Sequence, residues 1–274
     1  MARVKNLDQI TGSLKNLSFY TRKGSDKIFV RTKGGPSKEK IKRNPEFEGV
    51  RKNNKEFGGC SKMSKQIRRA FFGMEHVSDY NLSSVLCSVA KNIQKTDTEH
   101  PTGERNICLS RFRDTLTGFS FNTTNRFDSV LRIPLQSSID RQKQEATVDI
   151  PEFACSFGLN LPVSRSANSY YSLFRITAAL GIVTDLQLNA SKSGYEPAHS
   201  TIGQGFKTCS TPWYPTQATM PGQQLTLNIH EPSALFTDDD TLILSIVIEF
   251  GTLDAFGNPT PVKGAGAGKI LLVS

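Results

Sequence analysis

Leu242–Phe250 reads LILSIVIEF. Between Ile243 and Ile248 both alternate sets of positions are apolar apart from Ser245, so the segment reads as a strand covered on both faces and placed centrally in a sheet. It is far shorter than the ~18–20 apolar residues a membrane-spanning helix needs, and Glu249 interrupts it. Other strand-like runs flank it at short spacing: Phe119–Phe121, Ser129–Leu135, Thr147–Ile150, Tyr170–Leu180 with Ile182–Leu188, Leu225–Ile229 and Lys269–Val273. Pro151, Pro162, Pro212, Pro215, Pro221, Pro232, Pro259 and Pro261 stand between or at the edges of these runs. Short strands punctuated by turn residues predict an antiparallel β-sandwich over residues 117–274, jelly-roll- or immunoglobulin-like.

Upstream the texture is different. Residues 44–116 read as helical. Asn44-Pro45 suits a helix start, with Phe47, Val50 and Phe57 as a thin stripe. A second helix is expected over 61–73, capped by Ser61, with Met63, Ile67, Ala70 and Phe71 at helical spacing. A third is expected over 79–95, with Leu82, Val85, Leu86, Val89 and Ile93 on one face. Arg105–Leu116 reads as a fourth helix or the entry to a strand. Residues 1–43 form a basic arm. Within 12–35, Leu14, Leu17, Phe19 and Tyr20 lead into the turn cluster Arg22–Asp26, and Ile28, Phe29 and Val30 follow, which is a β-hairpin pattern. The predicted class is α+β: an N-terminal hairpin, basic helices, then the sandwich. A chain of 274 residues can bury a substantial core without staples.

Charge is segregated along the chain. Residues 1–70 carry 19 Lys/Arg against 6 Asp/Glu, whereas residues 71–274 carry 15 against 19. The front quarter is therefore net +13 and the remainder net −4. Cations held on one segment call for counter-charge.

The arm carries a resemblance. Gly12-Ser13-Leu14-Lys15-Asn16-Leu17-Ser18-Phe19-Tyr20, Lys27-Ile28-Phe29-Val30-Arg31, Asn53-Asn54-Lys55-Glu56-Phe57-Gly58 and Ile67-Arg68-Arg69-Ala70-Phe71 resemble a family of uncharacterised bacterial proteins. Those proteins open with a GKxGNxxFYxRxGKxxVR-type hairpin, continue with an NNxEFGxxxxxxKxIRxAF-type helix and end in a β-rich domain. Gly118–Asn122, Ile139–Arg141 and Val148–Pro151 are similar to segments of the same group, so the resemblance spans about two thirds of the chain. It implies the layout just described and no activity.

Catalytic signatures are weak. Gly264-Ala265-Gly266-Ala267-Gly268-Lys269 departs from a phosphate loop: Lys263 stands where the first Gly belongs, Ile270 where Ser or Thr belongs, and a strand follows. It reads as a flexible turn. Asp238-Asp239-Asp240 reads as a solvated turn rather than a cation site. His76, His100, His199 and His230 show no metal-ligand spacing. Cys209 could form a thiol–imidazole pair with His199 or His230, but with five cysteines and four histidines such proximities are expected by chance. No Gly-x-Ser-x-Gly elbow is present. The five cysteines are odd in number and scattered, which fits reduced thiols. Met1–Ile10 lacks the apolar core of an export signal, so the expected location is the cytoplasm or a particle assembled there. No cofactor is implied.

These readings lead to a non-enzymatic, self-assembling structural protein, a filament, tube or shell subunit and hence a homo-oligomer. Leu17, Phe19, Tyr20, Ile28 and Val30 would be apolar anchors between subunits. The alternative is a capsid-like or sequence-independent nucleic-acid-binding protein. In either case Lys38, Lys40, Lys42, Arg43, Arg51, Lys52, Lys62, Lys65, Arg68 and Arg69 would meet a polyanion or an acidic partner surface. A third class, a sugar- or ligand-binding sandwich, would use Trp213, Tyr214 and Tyr195.

Overall fold

The computed structural model describes residues 3–6, 9–21, 27–32, 34–162, 171–199, 205–229 and 236–274. It is a mixed α+β protein with antiparallel sheets. Contacts divide the chain into Met1–Arg51 and Lys52–Ser274.

The first unit holds more than a hairpin. β1 (Arg3–Asn6), β2 (Gln9–Leu14), β3 (Leu17–Thr21) and β4 (Ile28–Thr32) form one four-stranded antiparallel sheet in the order β1-β2-β3-β4. The single strand expected from Leu14 to Tyr20 is divided: Leu14 ends β2, and only Leu17, Phe19 and Tyr20 lie in β3, which pairs with β4, while the turn at Arg22–Asp26 lies outside the described residues. α1 (Lys38–Arg43) follows, its first turn capped by the Ser37 side chain. Arg51 Nη1 donates to the carbonyls of Ile41 and Asn44, both at 2.8 Å, and so closes the end of α1.

α2 (Glu48–Ala70) is one continuous helix, which corrects the expected break at residues 58–61. Gly58-Gly59 does not interrupt it because the buried stripe Glu56, Gly59, Cys60, Met63, Ile67 and Ala70 runs straight through. Ser61 lies inside the helix, not at its cap. α3 (Leu82–Lys95) begins at Asn81, whose side chain accepts from Ser84 N. Leu82, Leu86, Ala90 and Ile93 are its buried face, and Val85 points outward. Residues Leu109–Leu116 form 3-10 turns kinked at Phe112. No helix among the described residues is long and apolar enough to cross a membrane.

The remaining elements are α4 (Phe127–Val130), β5 (Gln136–Asp140), β6 (Glu145–Ile150), β7 (Phe153–Ala154), α5 (Cys155–Gly158), β8 (Leu173–Thr184), β9 (Leu186–Leu188) and β10 (Tyr195–Pro197). β11 (Phe206–Ser210), β12 (Tyr214–Pro215), β13 (Thr219–Met220), β14 (Gln223–Asn228), β15 (Asp240–Leu253) and β16 (Pro259–Val273) complete the chain. β11-β8-β15-β16 is the main sheet, with β12 also on β8, and β14-β6-β5 forms a second sheet. Ser129–Leu135 is not a strand. Phe127–Val130 turns helically, and the chain then clamps onto 158–160 through Arg132 N to Gly158 O and Asn160 N to Val130 O.

β15 occupies the central position read from its sequence. Leu242, Leu244, Ile246, Ile248 and Phe250 share one core with Phe174, Ile176, Ala178 and Leu180 of β8 and with Val148, Ile150, Leu225 and Leu227 of the smaller sheet. The alternate set, Ile243 and Val247 with Ala179 and Val183, packs against Met63, Ile67, Leu86 and Ala90 of the helices. Fully burying each such Leu, Ile or Val is worth roughly 1.5–3 kcal/mol. The larger sheet is thus covered by a sheet on one face and by helices on the other, a helical layer that the sandwich expectation did not include.

Gly264–Lys269, expected as a turn, lies within β16. A Cβ on Gly268 would sit 2.5 Å from Val247 Cγ2 and 2.7 Å from Phe121 Cδ2, so the glycine allows strand and core to meet. Phe119–Phe121 does not build a ladder of its own. It lies along β16 through Phe121 N to Gly268 O and Ile270 N to Phe119 O.

Candidate interaction surfaces

In the arm sheet the pairing register sorts the side chains by face. Leu17, Phe19 and Thr21 of β3 lie opposite Thr32, Val30 and Ile28 of β4, and Leu14 of β2 lies opposite Leu17. Side chains directly opposite share a face, so Leu14, Leu17, Phe19, Ile28 and Val30 form one apolar stripe. Four of the five predicted anchors belong to it. Tyr20 does not: it stands on the other face, its ring stacked on Phe29 at 5.7 Å with the Arg31 guanidinium 5.6 Å from its centroid. Leu14 is 57% and Val30 53% exposed. No described side chain from Thr11 to Val50 is buried. β1 and β4 are the outer strands of this sheet.

The predicted cations have unequal roles. Lys38, Lys40 and Lys42 on α1 are exposed and have no ion-pair partner among the described residues. Arg43 pairs with Glu39 at 3.6 Å, a solvent-exposed bridge of little energetic consequence. Arg51 is spent on the backbone of its own unit, as described above. In the second unit the Lys52 stem lies against Gly103, and Lys62 Nζ donates to Tyr195 O at 2.6 Å. Lys65, Arg68 and Arg69 converge on a groove at the end of α2, completed by Phe72, Glu75 and Phe206. The two aromatics were not anticipated. The signal was the doublet Phe71-Phe72 after a helical stripe, because only one of two adjacent residues can face the core.

Two buried glutamates among the described residues anchor the second unit, and the sequence assigned a role to neither. Glu56 is fully buried in α2. Its Oε1 accepts from Gly103 N at 2.8 Å and Arg105 Nε at 2.7 Å, and its Oε2 accepts from Arg105 Nη2 at 2.7 Å and Lys91 Nζ at 2.5 Å. Burial pushes this carboxyl up, but the donors from Arg105, Lys91 and Gly103 outweigh it and hold the pKa down to about 2. Gln94 extends the network: its Nε2 donates to Tyr195 Oη at 3.0 Å and to Arg105 O at 3.2 Å, and Tyr195 Oη donates to Arg105 O at 2.7 Å. Tyr195 therefore belongs to the interior, which removes it from the predicted aromatic ligand loop.

Glu249 on β15 is the second. Arg175 Nε donates to its Oε2 at 2.5 Å, and His76 Nε2 lies 2.6 Å from its Oε1 as an ion-pair contact. Burial raises this carboxyl, and His76 and Arg175 together bring it below the usual range. The Glu249 contact in turn raises His76. Arg175 also lies 4.8 Å over the Trp213 ring, so Trp213 serves this cluster. In the Glu56 cluster both carboxylate oxygens accept hydrogen bonds from the protein itself.

The acidic run is divided. Asp240 turns inward to accept from Thr184 Oγ1 at 2.5 Å and Thr237 N at 2.9 Å, with His199 Nε2 at 3.1 Å. Asp238 and Asp239 stay exposed. His199 is thereby committed to the start of β15 and not to Cys209, and His230 lies outside the described residues. All five cysteines are free, and burial pushes the Cys60 thiol up to about 12. Compared with family models, curated proteins and solved structures, the chain matches none of them.

Proposed function

We propose that this is a self-assembling structural protein, a subunit of a filament, tube or shell, whose arm sheet makes the contacts between copies. The two facing sheets of the second unit are taken as the sandwich that forms the body of the assembly. The observation that carries this reading is the arm's apolar stripe, Leu14, Leu17, Phe19, Ile28 and Val30, in a segment where no described side chain is buried. A small sheet needs a covered apolar face to be stable in water. A contiguous exposed apolar face rimmed by charge marks an interaction surface. β4 adds an outer edge able to accept a strand from another chain. The occupant is a second copy of the same chain. Its residues 71–274 are net acidic and the arm is strongly basic, so approach of arm to neighbouring body is electrostatically favoured. Head-to-tail contacts of this kind are heterologous and propagate into rings or open filaments.

The test is sedimentation velocity on the full chain carrying Phe19→Ser and Val30→Ser. Loss of two apolar contacts should weaken each subunit contact by about 2–4 kcal/mol, shifting the mass distribution toward monomer. A control with Ser13→Lys and Ser18→Lys, on the opposite face, should sediment as wild type. An unchanged distribution in the Phe19/Val30 variant would overturn the reading.

A further inference from the structure

The groove at the end of α2 has features that assembly through the arm does not use. Lys62, Lys65, Arg69 and Phe72 follow one another at spacings of three and four residues, which places them along one side of the helix and its exit. Lys65 and Arg68 have neither hydrogen-bond nor ion-pair partner among the described residues, and the Arg68 Nε is buried without an acceptor. A desolvated cationic donor left unpaired is costly unless an anion reaches it. Among the described residues the one acid lining the groove, Glu75, accepts the Gly73 amide at 3.1 Å. Beside the cations Phe72 is 61% exposed, and its ring lies 5.6 Å from Phe206, centroid to centroid, with an interplanar angle of 57°. Lys207 is exposed next to Phe206.

A simpler role accounts for part of this. Cations in the last turn of a helix complement its dipole, which explains Arg68 and Arg69. It does not explain Lys65, a turn earlier, or a phenylalanine turned to water between cations.

We infer that this groove binds single-stranded nucleic acid, with backbone phosphates on Lys65, Arg68 and Arg69 and a base stacked on Phe72 and Phe206. Phosphate contacts draw affinity from counterion release, and a π face accepts any base, so recognition is independent of sequence. A duplex hides its base faces and can use the cations alone. The inference stands apart from the assembly reading, because none of these residues lies in the arm sheet.

The test is fluorescence anisotropy of a labelled 12-nucleotide oligo-dT titrated with the full chain across a salt series. Phe72→Ala should weaken binding about tenfold, the loss of one stacked base, with the salt slope unchanged. Lys65→Ala and Arg68→Ala should each lower affinity and flatten the log–log salt slope by about 0.7. Both results should recur in the Phe19→Ser/Val30→Ser chain, which separates this inference from assembly. The inference is overturned if oligo-dT does not bind at low salt or if Phe72→Ala binds as wild type. It is equally overturned if a 12-base-pair duplex, or oligoglutamate of the same length, binds as tightly as oligo-dT.

Discussion

Gly181→Ala is expected to destabilise the protein by about 3 kcal/mol, at the upper end of what overpacking a core costs. Gly181 sits in the middle of β8, paired with Ile243 on one side and Phe206 on the other, at the point where the end of α2 crosses the sheet. A Cβ there would stand 2.5 Å from Ala70 Cβ and 2.6 Å from Ala70 O, and closer still to Ala70 Cα. These are mainly backbone atoms on the helix side, so no rotamer change relieves the clash, and either the last turn of α2 or the sheet must move. The exchange at Gly58 has the opposite sign. Nothing lies within 4 Å of a Cβ at that helical position, so Gly58→Ala should stabilise by about 0.5–1 kcal/mol through backbone entropy. Urea midpoints of the two variants measure both effects. A wild-type midpoint for Gly181→Ala would show that helix and sheet are not in contact there.

Glu56→Gln is expected to cost about 3 kcal/mol at neutral pH. The substitution keeps the shape of the side chain but leaves Arg105 and Lys91 without the carboxylate that both of them face, and removing one partner of a buried pair is strongly destabilising. The depressed pKa gives a similar figure: holding a carboxyl at about 2 instead of 4.5 corresponds to roughly 3 kcal/mol. The sign of the pH dependence follows. A lowered folded pKa contributes stability that is complete above the unfolded value and is lost as pH falls toward the folded one. The gap between wild type and Glu56→Gln should therefore be full above about pH 5 and close between about pH 4.5 and 2. A gap that stays constant over that range would rule out ionised Glu56 as the source.

How far the sequence carries depends on how locally each feature is encoded. The central place of β15 was readable because Ile243 and Val247 are as apolar as Leu242, Leu244 and Ile246, and only a strand with two covered faces needs both sets. In the arm Ile28–Val30 was readable as a strand, whereas the break that puts Leu14 in β2 and Leu17 in β3 was not, because Lys15-Asn16 carries no Gly or Pro to mark a turn. β16 was misread over Gly264–Gly268 because a glycine run has the same composition in a turn as in a strand pressed against Phe121 and Val247. The continuity of α2 was missed for a related reason: Gly58-Gly59 looks like a break until Gly59 is seen with the Tyr195 ring where its side chain would be. Glu56 stands as the Glu of the NNxEFG-type pattern, but nothing near it in the sequence marks it as buried. Its partners Lys91 and Arg105 are distant in sequence, and a single glutamate in a charged helix reads as solvated. Of the predicted cations, the pattern distinguished neither Arg51, held by two carbonyls, nor Lys62, held by Tyr195, from Lys65 and Arg68, which lack partners.

The most direct test of the assembly claim is the mass of the purified wild-type chain in solution, measured by sedimentation velocity over a hundredfold range of concentration in dilute buffer. Species heavier than the 30.2 kDa chain are expected, growing with concentration and dissociating when residues 1–35 are removed. A single 30.2 kDa species at every concentration, with and without those residues, would contradict the assembly claim.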